Sequence, residues 1–558
     1  MLRDNRVLIS LILFYLVLFL PFLGSVHLFD WDEINFAEAA REMLVTGDWL
    51  NVKINYEPFW EKPPLFIWLQ AISMKLFGVN EFAARLPNVI IGLITLIIVF
   101  KILKFRFSEK VATLSILLYL GSYTSHFYFK SGIIDPLFNL FIFLSVFEIV
   151  RYIEKSAIKH FFLSGVYLGL AIITKGPAAL LLVGLSGLVY QIIYRHNFYT
   201  IKGLFALFAG LLIAPGFYFG LQIVNNGFWF VQEFTFYQID LFRYPIASHG
   251  QPFYYHIVIL LIACFPLTVL ALPSLFKDKT VSKSSVLVAF MKVLFWVVLI
   301  VFSLVTTKIV HYSSMCYLPL TILASVWIDK NRVLNTLQTW FLAVIGLVWV
   351  ILFAIIGLFG IFPDFIYGSI GKYVEDSFIQ AQIETRVDWS IVGVFLAIYL
   401  GYLIIVLIKK QSFKNLVFVL TNNVLILTLF LTSSVGSIEE TVQGKWIEQL
   451  ESYQGKDYAH FTLGFKSYAH YYYTHHNQIA ELNEVKLKLL NEKGLASFYD
   501  LKQGDKLIFD SEVRNYVIEN TNIPVSVSAK IDKFDEMRSF KQLKRVFIGN
   551  GYGVWERR

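Results

Sequence analysis

Long apolar runs recur along this chain, and they decide what it can become. About thirteen of them, from Val7–Leu28 to Leu416–Thr432, approach the length needed to cross ~30 Å of hydrocarbon. Some are short or share a boundary. Hydrophobic residues make up 57% of the sequence and charged residues only 16%. Soluble globular domains carry about a quarter charged residues. The expectation is a polytopic α-helical membrane protein embedded in a lipid bilayer.

The loops between the runs set the orientation. With the N-terminus inside, the cations gather on the inner side, for example Lys101, Lys104, Arg106 and Lys110, then Arg151, Lys155 and Lys159, then Lys409, Lys410 and Lys414. Outer loops are poor in them. This bias follows the positive-inside rule and explains the net charge of +8 without any nucleic-acid partner. An odd number of spans puts the C-terminus outside. The two cysteines, Cys264 and Cys316, lie in apolar runs and suggest neither a disulfide nor a zinc framework. The first run is long, lacks a clear small-residue cleavage site and reads as an anchor.

Composition changes near residue 433. Residues 1–432 read as the membrane part, and 433–558 as a small soluble α/β domain outside the membrane. Strand-like pieces in this tail are HFTLGF, KLIFD and VSVSAKI, and Asn550-Gly551 suits a hairpin turn. The histidine-rich HYYYTHH, His470 to His476, reads as a solvated helix face.

The first outside loop, residues 29–85, is the most motif-dense segment. It opens with DWDEINFAEAAREM. Phe36, Ala40, Met43 and Leu44 recur at helical spacing until Gly47, so a short amphipathic helix along the membrane interface is expected, with Asp32 as its N-cap. Asp30-Trp31-Asp32 matches a D-x-D metal motif, a three-residue pattern common by chance. Next comes EKPPL. Pro63 pushes Lys62 towards extended geometry, and Pro64 suits the start of a second helix over Leu65–Phe77, stopped by Gly78. Elsewhere outside, Asp135-Pro136, Lys175-Gly176-Pro177, Arg243, and Lys308 with His311 and Tyr312 each place a charged residue at a span end. Nearly every outer loop carries one cation. A shared anionic ligand, a phosphate at the membrane surface, accounts for that pattern.

Together, DEINFAEAAREM, the Gly47-Asp48-Trp49 turn, EKPPL and FAARLP resemble the bacterial lipid-linked-sugar glycosyltransferases of the aminoarabinose-transferase type. These are relatives of the protein O-mannosyltransferases within the GT-C group. The resemblance implies a sugar moved from a polyprenyl (undecaprenyl) phosphate donor to a lipid, glycan or protein acceptor at the outer face of the bacterial inner membrane. It implies Asp32 as the catalytic carboxylate, Glu33 beside it, and Asp135 as a second acid. Lys62 and Arg243 would hold the donor phosphate, with Lys308 a further candidate. Arg41, Glu61, Arg85 and Tyr312 would support them. The sequence departs from the family where a Glu-His pair is expected shortly before the arginine. Here stand Ile239 and Asp240. This puts lipid A as acceptor, and any metal site using that histidine, in doubt.

The chemistry is self-consistent. An acceptor hydroxyl needs a base, and a carboxylate is ionised at neutral pH. The leaving prenyl phosphate gains negative charge that lysine or arginine can stabilise. No cofactor is obligatory; a divalent metal is possible but not indicated. The alternative is a transporter or flippase of lipid-linked sugars. It would place ionisable residues at mid-span, whereas most gather at one rim.

Overall fold

The computed structural model describes residues 5–30, 32–243, 250–276, 285–331, 334–501 and 503–557. Each expected apolar run is occupied by a helix or by a pair of consecutive helices. Among the described residues six helices are long and apolar enough on their own to cross a membrane, from Glu81–Arg106 to the continuous stretch Phe413–Glu451. A seventh forms if Ile201–Leu211 and Ile213–Asn226, bent by 49°, count as one. The first helix is shorter than its apolar run and covers only Arg6–Phe19.

Caps mark where the chain enters and leaves the bundle. Asn80 accepts from the Ala83 amide and starts Glu81–Arg106. FAARLP therefore lies in the first turns of that helix, and the outside loop ends before it. Ser108 caps Glu109–Leu120 in the same way. Asn335 and Gln338 form a reciprocal capping box at the start of Thr336–Phe359.

Small residues let neighbouring helices touch. On Ile158–Ile172, Gly165 and Gly169 recur four apart and face Ile201–Leu211. A Cβ added at Gly165 would sit 2.0 Å from the Leu207 carbonyl oxygen, and one at Gly210 would sit 2.2 Å from that of Phe162. Backbones in such contact leave no room for a methyl group.

The first outside loop is not a surface feature. Its helix Asp32–Thr46 buries an unbroken run from Glu33 to Met43. Asp32 is the first helical residue rather than the preceding cap. The amphipathic expectation fails because the C-terminal domain covers the helix's polar face. Trp446, Ile447, Leu450, Tyr472 and Tyr552 share one apolar core with Leu28, Ile34 and Phe36. The charged side chains meet partners inside: Arg41 donates to Glu38 Oε2 and Oε1, both at 2.7 Å, and to the His476 carbonyl at 3.0 Å. Glu42 accepts the Asn55 and Tyr56 amides in the two-residue turn between β1 (Lys53–Ile54) and β2 (Glu57–Pro58). The second helix, Leu65–Phe77, forms as expected between Pro64 and Gly78.

The C-terminal domain carries a four-stranded sheet. β3 (Ala459–Leu463) runs parallel to β4 (Val525–Lys530). β6 (Tyr552–Arg557) pairs antiparallel with both β4 and β5 (Lys544–Gly549). Asn550 and Gly551, with φ of 51° and 76°, make the expected turn between β5 and β6. Three sequence readings need correction. KLIFD belongs to the helix Gln503–Asn520, because its apolar residues continue at helical spacing into Val513 and Val517. HYYYTHH is buried rather than solvated: His470 and His476 are each 3% exposed, packed with Tyr471 against the Arg41 side of the first-loop helix. The helix Phe413–Glu439 runs unbroken through residue 433, so the compositional boundary falls inside a helix.

Gly165→Val should lower stability by about 1–3 kcal/mol or more through overpacking. Gly184→Ala, where nothing lies within 4 Å of the added Cβ, should be close to neutral. Thermal unfolding of the purified protein in detergent compares the two.

Candidate active site

A cavity of about 950 Å³ opens beside the start of the first-loop helix. One end is polar, and it is assembled from four separate segments. Asp32 opens Asp32–Thr46, and its Oδ2 lies 3.2 Å from His311 Nε2. His311 comes from the short 3-10 helix Val310–Cys316. Lys62 precedes the paired prolines, with its Nζ 5.7 Å from the Tyr237 ring. Lys175 sits in the Lys-Gly-Pro turn, where Gly176 has φ of +129° and a Cβ would press on the Gln238 side chain. The Leu65 amide donates to the Ile173 carbonyl at 3.1 Å. That bond ties the turn bearing Lys62 to the turn bearing Lys175.

Electrostatics separate two acids only two residues apart. Burial works to raise the proton affinity of Asp32. The His311 hydrogen bond and the nearby charges of His311, Lys62 and Lys175 overcome it and hold the carboxyl below its usual range. Asp32 is ionised at any physiological pH. At Asp30 burial wins: the pKa rises from 3.8 to about 6, with Asp32 adding to the rise and Ser467, Lys466 and Lys530 opposing it.

The C-terminal domain supplies another part of the polar wall, through Lys466, Tyr468, Lys506 and Asp510. Lys466 Nζ lies 3.4 Å from Glu61 Oε1, and Lys506 Nζ lies 3.2 Å from Glu57 Oε2 and 5.4 Å from the centre of the Trp60 ring. Glu61 also accepts from the Tyr237 hydroxyl at 3.3 Å. Away from the charges the cavity turns apolar, lined by Phe127, Ala263, Trp349, Leu427, Phe430 and Leu431.

The expected site residues divide on this geometry. Asp32, Lys62, Glu61 and Tyr312 line the cavity. Glu33 touches its wall, but both carboxylate oxygens are committed. They accept from Arg85 Nε and Nη2 at 3.0 and 2.9 Å and from the Phe29 and Gly132 amides at 3.0 and 2.5 Å. Glu33 and Arg85 therefore brace Asp32 and are not free to exchange protons. Asp135 is 1% exposed and stands behind the wall, where its Oδ1 takes the Lys175 ammonium at 2.6 Å. It aims Lys175. Lys308 is buried at 6% exposure and is not among the cavity-lining residues, although Thr307 and Ile309 on either side are. Arg41 serves the helix–tail contact described above. Arg243 ends the helix Trp229–Arg243, and its side chain lies outside the described residues, as does Trp31 of the D-x-D pattern. Among the described residues no group of three metal-ligating side chains includes Asp30 or Asp32.

Lys175 and His311 are the site residues least marked in the sequence. Both were visible as outer-loop polar residues, but only folding shows them beside Asp32. Nothing in the tail sequence marks Lys466, Lys506 or Asp510 as cavity residues.

The sequence model of the dolichyl-phosphate-mannose-protein mannosyltransferase family matches residues 61–219. An undecaprenyl phosphate-α-4-amino-4-deoxy-L-arabinose arabinosyl transferase of Pectobacterium carotovorum is 27% identical over 369 residues, covering 64% of this chain and 66% of the relative. The corresponding Erwinia tasmaniensis transferase is 28% identical, covering 56% and 57%. The match thus spans no more than about two thirds of these curated relatives. The crystal structure of ArnT from Cupriavidus metallidurans bound to undecaprenyl phosphate superposes with a TM-score of 0.72. It is 17% identical and covers 99% of this chain and 98% of that one. The chain has an ArnT-like fold. The likeness in fold covers nearly the whole chain.

In this ArnT-like frame the state of Asp30 has a measurable consequence. Its raised pKa means the folded state binds the proton more tightly than the unfolded chain. Its contribution to stability is greatest below about 3.8, falls as pH rises to about 6 and is flat above that. Asp30→Asn should raise stability at pH 7.5 by at most about 3 kcal/mol and have little effect at pH 4. Denaturation midpoints at the two pH values check it.

Proposed function

We propose that this protein is a glycosyltransferase of the outer face of the bacterial inner membrane. It moves a sugar from a polyprenyl-phosphate donor to a hydroxyl or phosphate acceptor on a lipid, a glycan or a protein. One observation carries the reading: a single cavity joins an ionised carboxylate and several lysines to an apolar wall. An amphiphilic phosphate donor needs both ends of such a site. The membrane part is read as thirteen spans with the N-terminus inside and the C-terminal domain in the periplasm.

In the reaction the acceptor oxygen attacks the anomeric carbon, and the bond from that carbon to the phosphate oxygen breaks. A hydroxyl acceptor loses its proton to the Asp32 carboxylate. His311 Nε2, 3.2 Å from Asp32 Oδ2, holds that carboxylate in place. The leaving phosphate keeps the electron pair of the broken bond. Lys62 and Lys175 face the developing charge, and preorganised cations act most strongly where water is excluded. Asp135 fixes the Lys175 ammonium and Tyr237 flanks Lys62, so both cations are in place before the bond breaks. The apolar wall receives the prenyl chain. The names of the relatives, undecaprenyl phosphate-aminoarabinose arabinosyl transferases, support the donor class. They support the acceptor less, because Ile239 and Asp240 depart from the family pattern.

Asp32→Asn should lower kcat by about 10²–10⁴, and Lys175→Ala by about 10²–10³, in a purified-protein assay with polyprenyl-phosphate sugars. Full transfer by Asp32→Asn would remove Asp32 from the chemistry. Failure of the wild type to consume any lipid-linked sugar would remove the enzyme class. His311→Gln should also lower kcat, since it removes the hydrogen-bonding partner of Asp32.

A further inference from the structure

A second cluster of ligating side chains lies outside the cavity, where the C-terminal domain meets the membrane helices. His27 follows the first helix, Glu81 begins Glu81–Arg106, and Glu451 ends Lys445–Glu451. One nitrogen of His27 and one oxygen from each glutamate all lie within 4.8 Å of one another. His27 Nε2 is 3.9 Å from Glu451 Oε1. The other ring nitrogen, Nδ1, is 3.0 Å from Glu439 Oε1.

Three features make this more than a group of acids. First, the Glu439 contact fixes the imidazole. In the neutral tautomer with Nδ1–H donating to that carboxylate, Nε2 is the nitrogen left to bind a metal, 3.9 Å from Glu451 Oε1. A carboxylate behind a histidine is the arrangement that orients and strengthens metal-binding histidines. Second, the ring is held from other sides. Tyr473 packs edge-on at 5.5 Å, and the His27 carbonyl accepts from Arg85 Nη2 at 2.9 Å. Third, the charge is unbalanced. Three carboxylates face one imidazole, and Glu439 is only 4% exposed. Among the described residues no lysine or arginine forms an ion pair with Glu81, Glu439 or Glu451. Negative charge withdrawn from water needs a counter-charge.

We propose that His27, Glu81 and Glu451 bind a divalent cation of the zinc class, oriented by Glu439. A nitrogen donor with two carboxylates suits zinc better than calcium or magnesium, which take oxygen ligands. Zinc bonds of about 2.0–2.2 Å require the ligand atoms to draw closer than 4.8 Å. The partly exposed Glu451 side chain is free to swing inwards. The ion would fasten the C-terminal domain to the helix that carries Arg85 and to the loop that leads into Asp32. The proposal is independent of the glycosyltransferase reading, because the site lies outside the cavity and its test reads metal and stability.

The test uses the full-length protein in detergent, stripped with a chelator and titrated with zinc against a chromophoric competitor. Wild type should bind one equivalent that His27→Gln and Glu451→Gln bind at least tenfold more weakly. Zinc should raise the thermal midpoint of wild type and not of the variants. Glu451→Gln, at a partly exposed position, keeps the test open should His27→Gln fail to fold. Cobalt(II) substitution in wild type should give a visible absorption band that is absent from Glu451→Gln. Equal zinc affinity in wild type and Glu451→Gln overturns the proposal, as does the absence of zinc binding by wild type. If wild type exceeds the variants in stability by the same margin in chelator as in zinc, the cluster is an ion pair only, and the metal assignment falls.

Discussion

The buried carboxylate of Glu33 sets the position of nearly everything that matters in this protein. A charge removed from water must be met by donors, and Glu33 is met by four: two from Arg85 and one each from the Phe29 and Gly132 amides. Arg85 uses its remaining N–H groups on the carbonyls of Leu23, Val26 and His27. One ion pair thereby joins the end of the first helical segment, the start of Glu81–Arg106 and the loop that leads to Asp135. Asp32, one residue away, inherits that rigidity. Its carboxylate can then be placed against His311 without relying on its own backbone to hold it there.

The remainder of the site follows from what the rigid corner attracts. Lys62 and Lys175 come from different turns, yet the Leu65–Ile173 backbone bond locks those turns together. Asp135 then neutralises part of the Lys175 charge from behind, which leaves the ammonium facing the cavity. The C-terminal domain completes the polar wall. Its Lys486 and Lys506 both reach Glu57 in the first outside loop, Lys486 at 2.6 Å. The domain is therefore a wall of the cavity as well as a cover for the first-loop helix. A molecule entering the cavity meets residues from both parts of the chain.

What was legible in the sequence was local or periodic. Apolar runs fixed the helices, Pro64 and Gly78 bounded Leu65–Phe77, and Asn550-Gly551 marked its hairpin, because each depends on the chain's own neighbours. KLIFD was an error of local period, and the errors at the first loop came from long-range cover. The first-loop helix looked amphipathic because Glu38, Arg41 and Glu42 looked solvated. In the fold Glu38 and Arg41 pair with each other, Arg41 also reaches tail backbone, and Glu42 accepts the Asn55 and Tyr56 amides. HYYYTHH was misread for the same reason, being the tail's side of that contact. Lys308 was chosen for its charge in an outer loop, but its neighbours on either side face the cavity and it does not. Glu33 carried the right motif and the wrong role, since a motif gives residue types and only the fold shows which oxygens remain unbonded.

The two acids at the mouth of the cavity bear on what it selects. Asp30 and Asp32 are close enough for each to disfavour ionisation of the other, yet their surroundings differ. Asp32 has His311, Lys62 and Lys175 around it, whereas burial dominates at Asp30 and carries its pKa to about 6. Below that value this pair carries one negative charge, and above it the second charge appears at a buried site. The lysines facing the cavity, Lys62, Lys175, Lys466 and Lys506, are met by Asp32, Glu61, Asp510 and the neighbouring Glu57. Asp510 is itself shifted upward to about 6, burial and Glu57 being the main causes. Two acids of the rim, Asp30 and Asp510, thus hold their protons more tightly than ordinary carboxyls, while Asp32 holds its own less tightly. That asymmetry comes from which cations the fold brings to each acid, not from the acids' order in the sequence.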